Sequence, residues 1–337
     1  MTTHPRIKNL FKNLALALGT FLFCFLLLEL GVRLMGYGNV EIYEADPLLY
    51  WRNKPNQNRR TTVERKPVHI NSQGTRGPEF SLQKPANTIR ILTLGDSITF
   101  GWGLSEPETY SGLLEKHLQE ALGPAKKVEV INAGVNSWSY AQMYAFFRDR
   151  ALSYEPDFVV LGEANLWTQF SEKNSPDFVQ KFLWRIRFKN FLRRFATYHY
   201  FIEVRMRDFY TRFRSKFIPI NPQNDTFFKE QQQKDPEAFF RQSIENICQL
   251  AKSKGIQPVL LFIPTVNDLS PTDQSITLRL KQSVSEKMNV PLLDLRADLR
   301  PGGKAFYLEG DPVHPNADGD RIIAQRLAET MKKLISP

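Results

Sequence analysis

Five short apolar runs, each followed by a helical pattern, constrain this chain more than any other feature. The runs lie at 89–94, 128–132, 157–162, 257–263 and 290–294, and the first reads Ile89-Arg90-Ile91-Leu92-Thr93-Leu94. Runs this apolar belong to strands covered on both faces, which is the environment of a parallel sheet. Helical patterns at 106–122, 138–153, 236–254, 272–288 and 317–334 supply the cover. The alternation predicts a three-layer α/β/α sandwich around a five-stranded parallel sheet. Such sheets hold their ligands at the C-terminal ends of the strands.

Four elements carrying reactive or hydrogen-bonding residues fall on that edge. Gly95-Asp96-Ser97 closes the first strand, Asn132-Ala133-Gly134 the second, and Gly162-Glu163-Ala164-Asn165 the third, while Asp311-Pro312-Val313-His314 follows the fifth. A serine hydroxyl is a poor nucleophile until a base takes its proton, and the base needs a partner that fixes its tautomer. Ser97, His314 and Asp311 are the candidates for those roles. Thr99 stands where the Gly-x-Ser-x-Gly elbow of the α/β-hydrolases needs its second glycine, which argues against that fold.

The order Ser, Gly, Asn, His, each after a candidate strand, resembles the SGNH or GDSL hydrolase superfamily over about residues 65–335. The resemblance implies a flavodoxin-like sheet and a serine esterase with no metal or cofactor. It also implies an oxyanion hole made from the backbone N–H groups of Ser97 and Gly134 and the side-chain amide of Asn165. Such a donor contributes about 3 kcal/mol to lowering the barrier. The third block departs from the family's Gly-x-Asn-Asp: it is one residue longer and lacks the Asp. Asp96 is expected to accept from loop amides, and Glu163 to pair with an Arg of the insertion described below. His117 is expected in water, His199 packed among aromatics, and His4 and His69 away from the site.

Leu14 to Leu28 carry no charge, and the apolar character runs on to Met35. A helix over 14–35 would rise about 33 Å, enough for a bilayer core of about 30 Å. Glu29 and Arg33, four apart, should pair while snorkelling outward. Arg6, Lys8 and Lys12 before the run favour an N-inside orientation, which puts the rest of the chain outside the cytoplasm. A cleaved signal peptide is the competing reading, but no small-x-small site follows the run. Phe23 is too large a neighbour for Cys24 to be a lipoprotein site, and Cys24 and Cys248 are not expected to form a disulfide.

The formal charge of +10 is local. Residues 181–217 hold eleven Lys/Arg against Glu203 and Asp208, a net +9, which leaves +1 elsewhere. This segment lies in an insertion at 165–235, where Trp184, Phe188, Phe191 and Phe195 recur at helical spacing. The insertion reads as a helical cap packing its aromatics on the domain, with a basic surface available to anionic lipid headgroups. With no recognisable nucleic-acid motif, nucleic acid is not an expected partner.

The chain therefore divides into a cytoplasmic tip and transmembrane anchor at 1–36, an irregular lead-in at 37–88, and a hydrolase domain at 89–337 interrupted by the cap. The expected activity is hydrolysis of an O-acyl ester of a polysaccharide or lipid, in the periplasm at the inner membrane. An acyltransferase using a sugar acceptor and a non-catalytic glycan- or lipid-binding protein are the alternatives.

Overall fold

A computed structural model describes residues 5–62, 64–164, 176–206, 235–270 and 275–335. After helix α1 (Pro5–Leu34), four short strands pair as two antiparallel hairpins: β1 (Tyr43–Asp46) with β2 (Tyr50–Asn53), and β3 (Gln57–Arg60) with β4 (Pro67–Ile70). The alternation then begins. β5 (Thr88–Gly95) leads into a one-turn helix, α2 (Ser97–Phe100), and then α3 (Tyr110–Leu122). Next come β6 (Lys127–Gly134), α4 (Tyr140–Asp149), β7 (Phe158–Leu161) and α5 (Pro176–Leu192). The chain ends through α6 (Pro236–Ser253), β8 (Gln257–Phe262), α7 (Ile276–Met288), β9 (Leu292–Asp294) and α8 (Ala317–Ile335).

The five-stranded sheet has the order β6-β5-β7-β8-β9, parallel throughout. Its period of two sorts side chains between two cores. Leu92, Leu94, Ile131, Val159 and Leu161 pack on one face with Phe146, Ile244 and Val284 from α4, α6 and α7. Ile91, Val128, Val160, Val259 and Leu261 pack on the other with Leu114 and Leu118 of α3 and Ile323 and Leu327 of α8. Full burial of each Leu or Ile contributes about 1.5–3 kcal/mol, and both faces need it, which explains why apolar residues predominate in these strands. From β5 the chain steps to β6 on one side and then to β7 on the other. That reversal opens a crevice at the C-terminal end of β5, where Ser97 follows.

The two hairpins of the lead-in tie onto the sheet. Arg76 bridges to Asn132 on β6, and Asn53 Nδ2 donates to Gly134 O at 3.0 Å. Trp138 Nε1 donates to Trp51 O, and Trp51 Nε1 to Asn136 O. The turn-rich segment thus clamps the loop after β6, one of the site loops.

The chain forms two compact units. The smaller joins α1 through Val40 to the described residues from Phe188, and the larger holds the sheet and its helices. In the larger unit Phe182 of α5 packs on Trp51, ring centres 5.3 Å apart. The expected aromatic stripe does not pack as anticipated: Trp184, Phe188 and Phe191 are exposed. Phe209, Tyr210, Phe213 and Phe217 of the insertion lie outside the described residues. In the smaller unit Glu29 pairs with Arg33 as expected but does not snorkel. It is 8% exposed, and its carboxylate accepts from the amides of Ala196 and Thr197 and the Thr197 hydroxyl. Arg33 also donates to Arg194 O.

Candidate active site

Ser97 opens α2 directly after β5. Asp96 is the N-cap, accepting from the Ile98 amide at 2.9 Å, and Gly101 ends the turn in the left-handed region at φ 82°. This is the structural role expected for Asp96. Burial pushes its carboxyl up, opposed by the Ile98 amide and by the positive fields of His314 and Lys281.

Three buried groups hold this turn against the sheet. Asn132 Nδ2 donates to Thr99 O at 2.8 Å. Tyr110 donates its hydroxyl hydrogen to Thr99 Oγ1 at 2.9 Å. Arg76, 3% exposed, donates to Phe100 O at 2.6 Å, to Gly101 O at 2.9 Å and to Leu104 O. Burial brings its guanidinium down to about 10, against the pull of Glu41, Glu106 and Asp320. A guanidinium stripped of water needs such partners, and here they are the carbonyls of the last residue of α2 and of the loop after it.

The loop before α8 brings His314 to Ser97. His314 Nε2 lies 2.9 Å from Ser97 Oγ, and His314 Nδ1 lies 2.7 Å from Asp311 Oδ2. The other oxygen of Asp311 accepts from the Val313 and His314 amides. The loop is pinned where Val266 N donates to Pro312 O and Tyr307 donates its hydroxyl hydrogen to Pro264 O. Burial would raise the Asp311 carboxyl, but the hydrogen bond and charge of His314 and the two amides outweigh it and hold the pKa below the ordinary value. Trp102 flanks the imidazole, ring centres 6.0 Å apart, and Ser97 remains half-buried.

The expected oxyanion donors are placed unequally. The Ser97 amide makes no hydrogen bond within the described chain. The Gly134 amide donates to Asn132 Oδ1 at 3.0 Å. Gly134 also leaves room for the turn: a Cβ there would stand 2.2 Å from Phe100 N, inside the backbone of α2. On the same loop Ser137 adopts φ 64°, exposed, with an amide that makes no hydrogen bond within the described chain. Asn165 lies outside the described residues.

Glu163 does not pair with an insertion arginine. It meets Lys281 of α7 at 2.6 Å and accepts from the Ile263 amide, while its own carbonyl accepts from the Asp96 amide. Lys281 donates also to Gly162 O and Leu261 O. His117 is less solvated than expected, its Nε2 buried with no hydrogen-bond partner among the described residues, and His199 is fully buried and accepts from the Gly38 amide. Among the described residues no group of three His, Cys, Asp or Glu is gathered to hold a metal.

Sequence reasoning missed Arg76, Asn132 and Lys281. Asn132 had a signal, an amide at a strand end beside Ser97's strand. Arg76 and Lys281 had none, since a buried cation looks like a surface one in a sequence.

Residues 93–200, which carry Ser97 and the ends of β6 and β7, match the model of the GDSL-like Lipase/Acylhydrolase family. This stretch is a GDSL-type hydrolase region. The match stops before Asp311 and His314, so their partnership with the GDSL serine rests on the distances above. No curated protein is a significant match to the chain. Solved structures that resemble it include the lipase/acylhydrolase of Enterococcus faecalis, 18% identical over 73% of this chain and 96% of that one, TM-score 0.45. A lipolytic protein of the G-D-S-L family from Desulfitobacterium hafniense is 15% identical over 71% and 98%, TM-score 0.42. A catalytic mutant of an acetylxylan esterase from Geobacillus stearothermophilus is 15% identical over 72% and 93%, TM-score 0.46. The GDSL-type match supports an ester-hydrolysing enzyme.

Proposed function

We propose that the chain is a membrane-anchored serine esterase that removes a short acyl group from a polysaccharide or lipid ester outside the cytoplasm. The carrying observation is the line Ser97 Oγ, His314 Nε2, His314 Nδ1, Asp311 Oδ2, with contacts of 2.9 and 2.7 Å. His314 takes the Ser97 proton as Oγ bonds to the acyl carbon, then gives it to the departing alkoxide as the ester C–O bond breaks. Water, deprotonated by the same imidazole, displaces Ser97 from the acyl carbon and regenerates the hydroxyl. Asp311 fixes the tautomer and stabilises the imidazolium. The free Ser97 amide and the Asn165 side chain are the proposed oxyanion donors, and Gly134 acts as a spacer.

Support for the anchor is the apolar stretch Asn9–Leu34 of α1, long enough to cross a bilayer. The basic residues Arg6, Lys8 and Lys12 favour the N-inside orientation. A fluorophosphonate probe tests the chemistry: wild type should be labelled, and Ser97→Ala and His314→Ala should not. Folded wild type that resists labelling would remove the esterase reading. A reporter fused after Pro337 tests the topology, and activity inside the cytoplasm would reverse it.

A further inference from the structure

We propose that the smaller unit is a membrane-interface collar. In this arrangement residues 191–206 sit in the headgroup and upper acyl layer of an anionic bilayer, in the leaflet where α1 ends. The proposal rests on the reading of α1 as an anchor given above.

Depth follows from the register along α1. Its apolar stretch of 26 residues is about 39 Å long, against about 30 Å for a bilayer core. The Phe195 ring lies 5.8 Å from that of Phe25. Ala196 and Thr197 bind Glu29, Arg194 O binds Arg33, and His199 Nδ1 accepts from Gly38 N. The segment 194–199 therefore runs beside the end of α1 and the residues after it, from Phe25 to Gly38. With Arg33 among the headgroups, Phe25 lies eight residues (33 − 25), about 12 Å, deeper.

The chemistry of the segment fits that depth. Phe191, Phe201, Ile202 and Met206 are 42–52% exposed. Arg194 and Arg205 face out among them, while Glu29 and Glu203 are turned inward onto Arg33 and Arg193. The outward charge is positive, the complement of a lipid phosphate layer, and apolar side chains between cations are what an interfacial segment needs. Backbone amides at this level lack water and must be satisfied internally. The Glu29 carboxylate takes those of Ala196 and Thr197, which also accounts for an acid within an apolar helix.

The test uses the full chain in a Cys24→Ala background, where Cys248 stays buried. Ile202→Cys and, separately, Leu22→Cys carry an environment-sensitive fluorophore. Each is reconstituted into phosphatidylcholine–phosphatidylglycerol vesicles whose acyl chains bear a nitroxide at a shallow or a deep position. The Ile202 probe should lose fluorescence mainly to the shallow quencher and the Leu22 probe to the deep one. Quenching at Leu22 with none at Ile202 overturns the collar and leaves the anchor standing. No quenching at either site removes the anchor, and the collar with it. Arg194→Glu with Arg205→Glu should reduce Ile202 quenching while Leu22 quenching stays constant; unchanged Ile202 quenching overturns the choice of an anionic surface.

Discussion

Lys281 Nζ lies 2.6 Å from Glu163 Oε1, and the lysine side chain is closed to solvent while the glutamate is nearly so. This pair sits under the strand edge that carries Ser97, because the Glu163 carbonyl also receives the Asp96 amide. Burial pushes the Glu163 carboxyl up and the Lys281 ammonium down, and each partner's charge opposes the shift of the other. All three ammonium hydrogens have acceptors, in Glu163 Oε1, Gly162 O and Leu261 O. Removing one partner strands the other. Lys281→Met should cost about 3–5 kcal/mol, and Lys281→Met with Glu163→Gln should recover part of it. Urea midpoints of the single and double variants measure both; a near-neutral single variant would contradict the pairing.

Asp311→Asn preserves shape but cannot hold the same tautomer, so the turnover of a small acetyl ester should fall by roughly 10⁴. The same substitution reports on acid stability. The Asp311 carboxyl has a folded pKa below its unfolded value, so its contribution is complete above the unfolded value of about 3.9. That contribution fades as pH falls through the folded value. The stability gap between wild type and Asp311→Asn should therefore be widest at pH 5 and narrow towards pH 2. A gap that grows on acidification would reverse the sign.

Gly134→Ala keeps the backbone amide but inserts a methyl group 2.2 Å from Phe100 N. A spacer predicts damage to α2 itself: a loss of about 1–3 kcal/mol or more, together with loss of phosphonate labelling at Ser97. Thermal melting and labelling on the same sample check this. Full stability and full labelling would show that the turn has more room than the structure gives it.

Cys248 is buried in α6, and burial raises its thiol to about 12. At pH 8 the thiolate fraction is on the order of 10⁻⁴. In detergent iodoacetamide should modify only Cys24, and two thiols should react after denaturation. Rapid native modification at Cys248 would mean that α6 opens readily.

The parallel sheet could be read from the sequence because strands buried on both faces are rich in apolar residues, as Phe158 to Leu161 and Val259 to Phe262 are. Ser97, Asp311 and His314 could be read because the chemistry demands those side chains at strand ends. The errors have one cause. Hydrogen-bond partners far apart in sequence leave no local trace, so the sequence points Glu163 to an insertion arginine and not to Lys281. The insertion misled by its period, since helical spacing marks a shared face but not whether that face is covered.

Arg76 changes what counts as the smallest working piece of this protein. A fragment cut at residue 88, where the alternating pattern starts, would retain Ser97, Asp311 and His314 yet drop the guanidinium that gathers three carbonyls behind the Ser97 turn. Recombinant versions without the hydrophobic leader should begin near Glu41, so that both hairpins travel with the enzyme they brace.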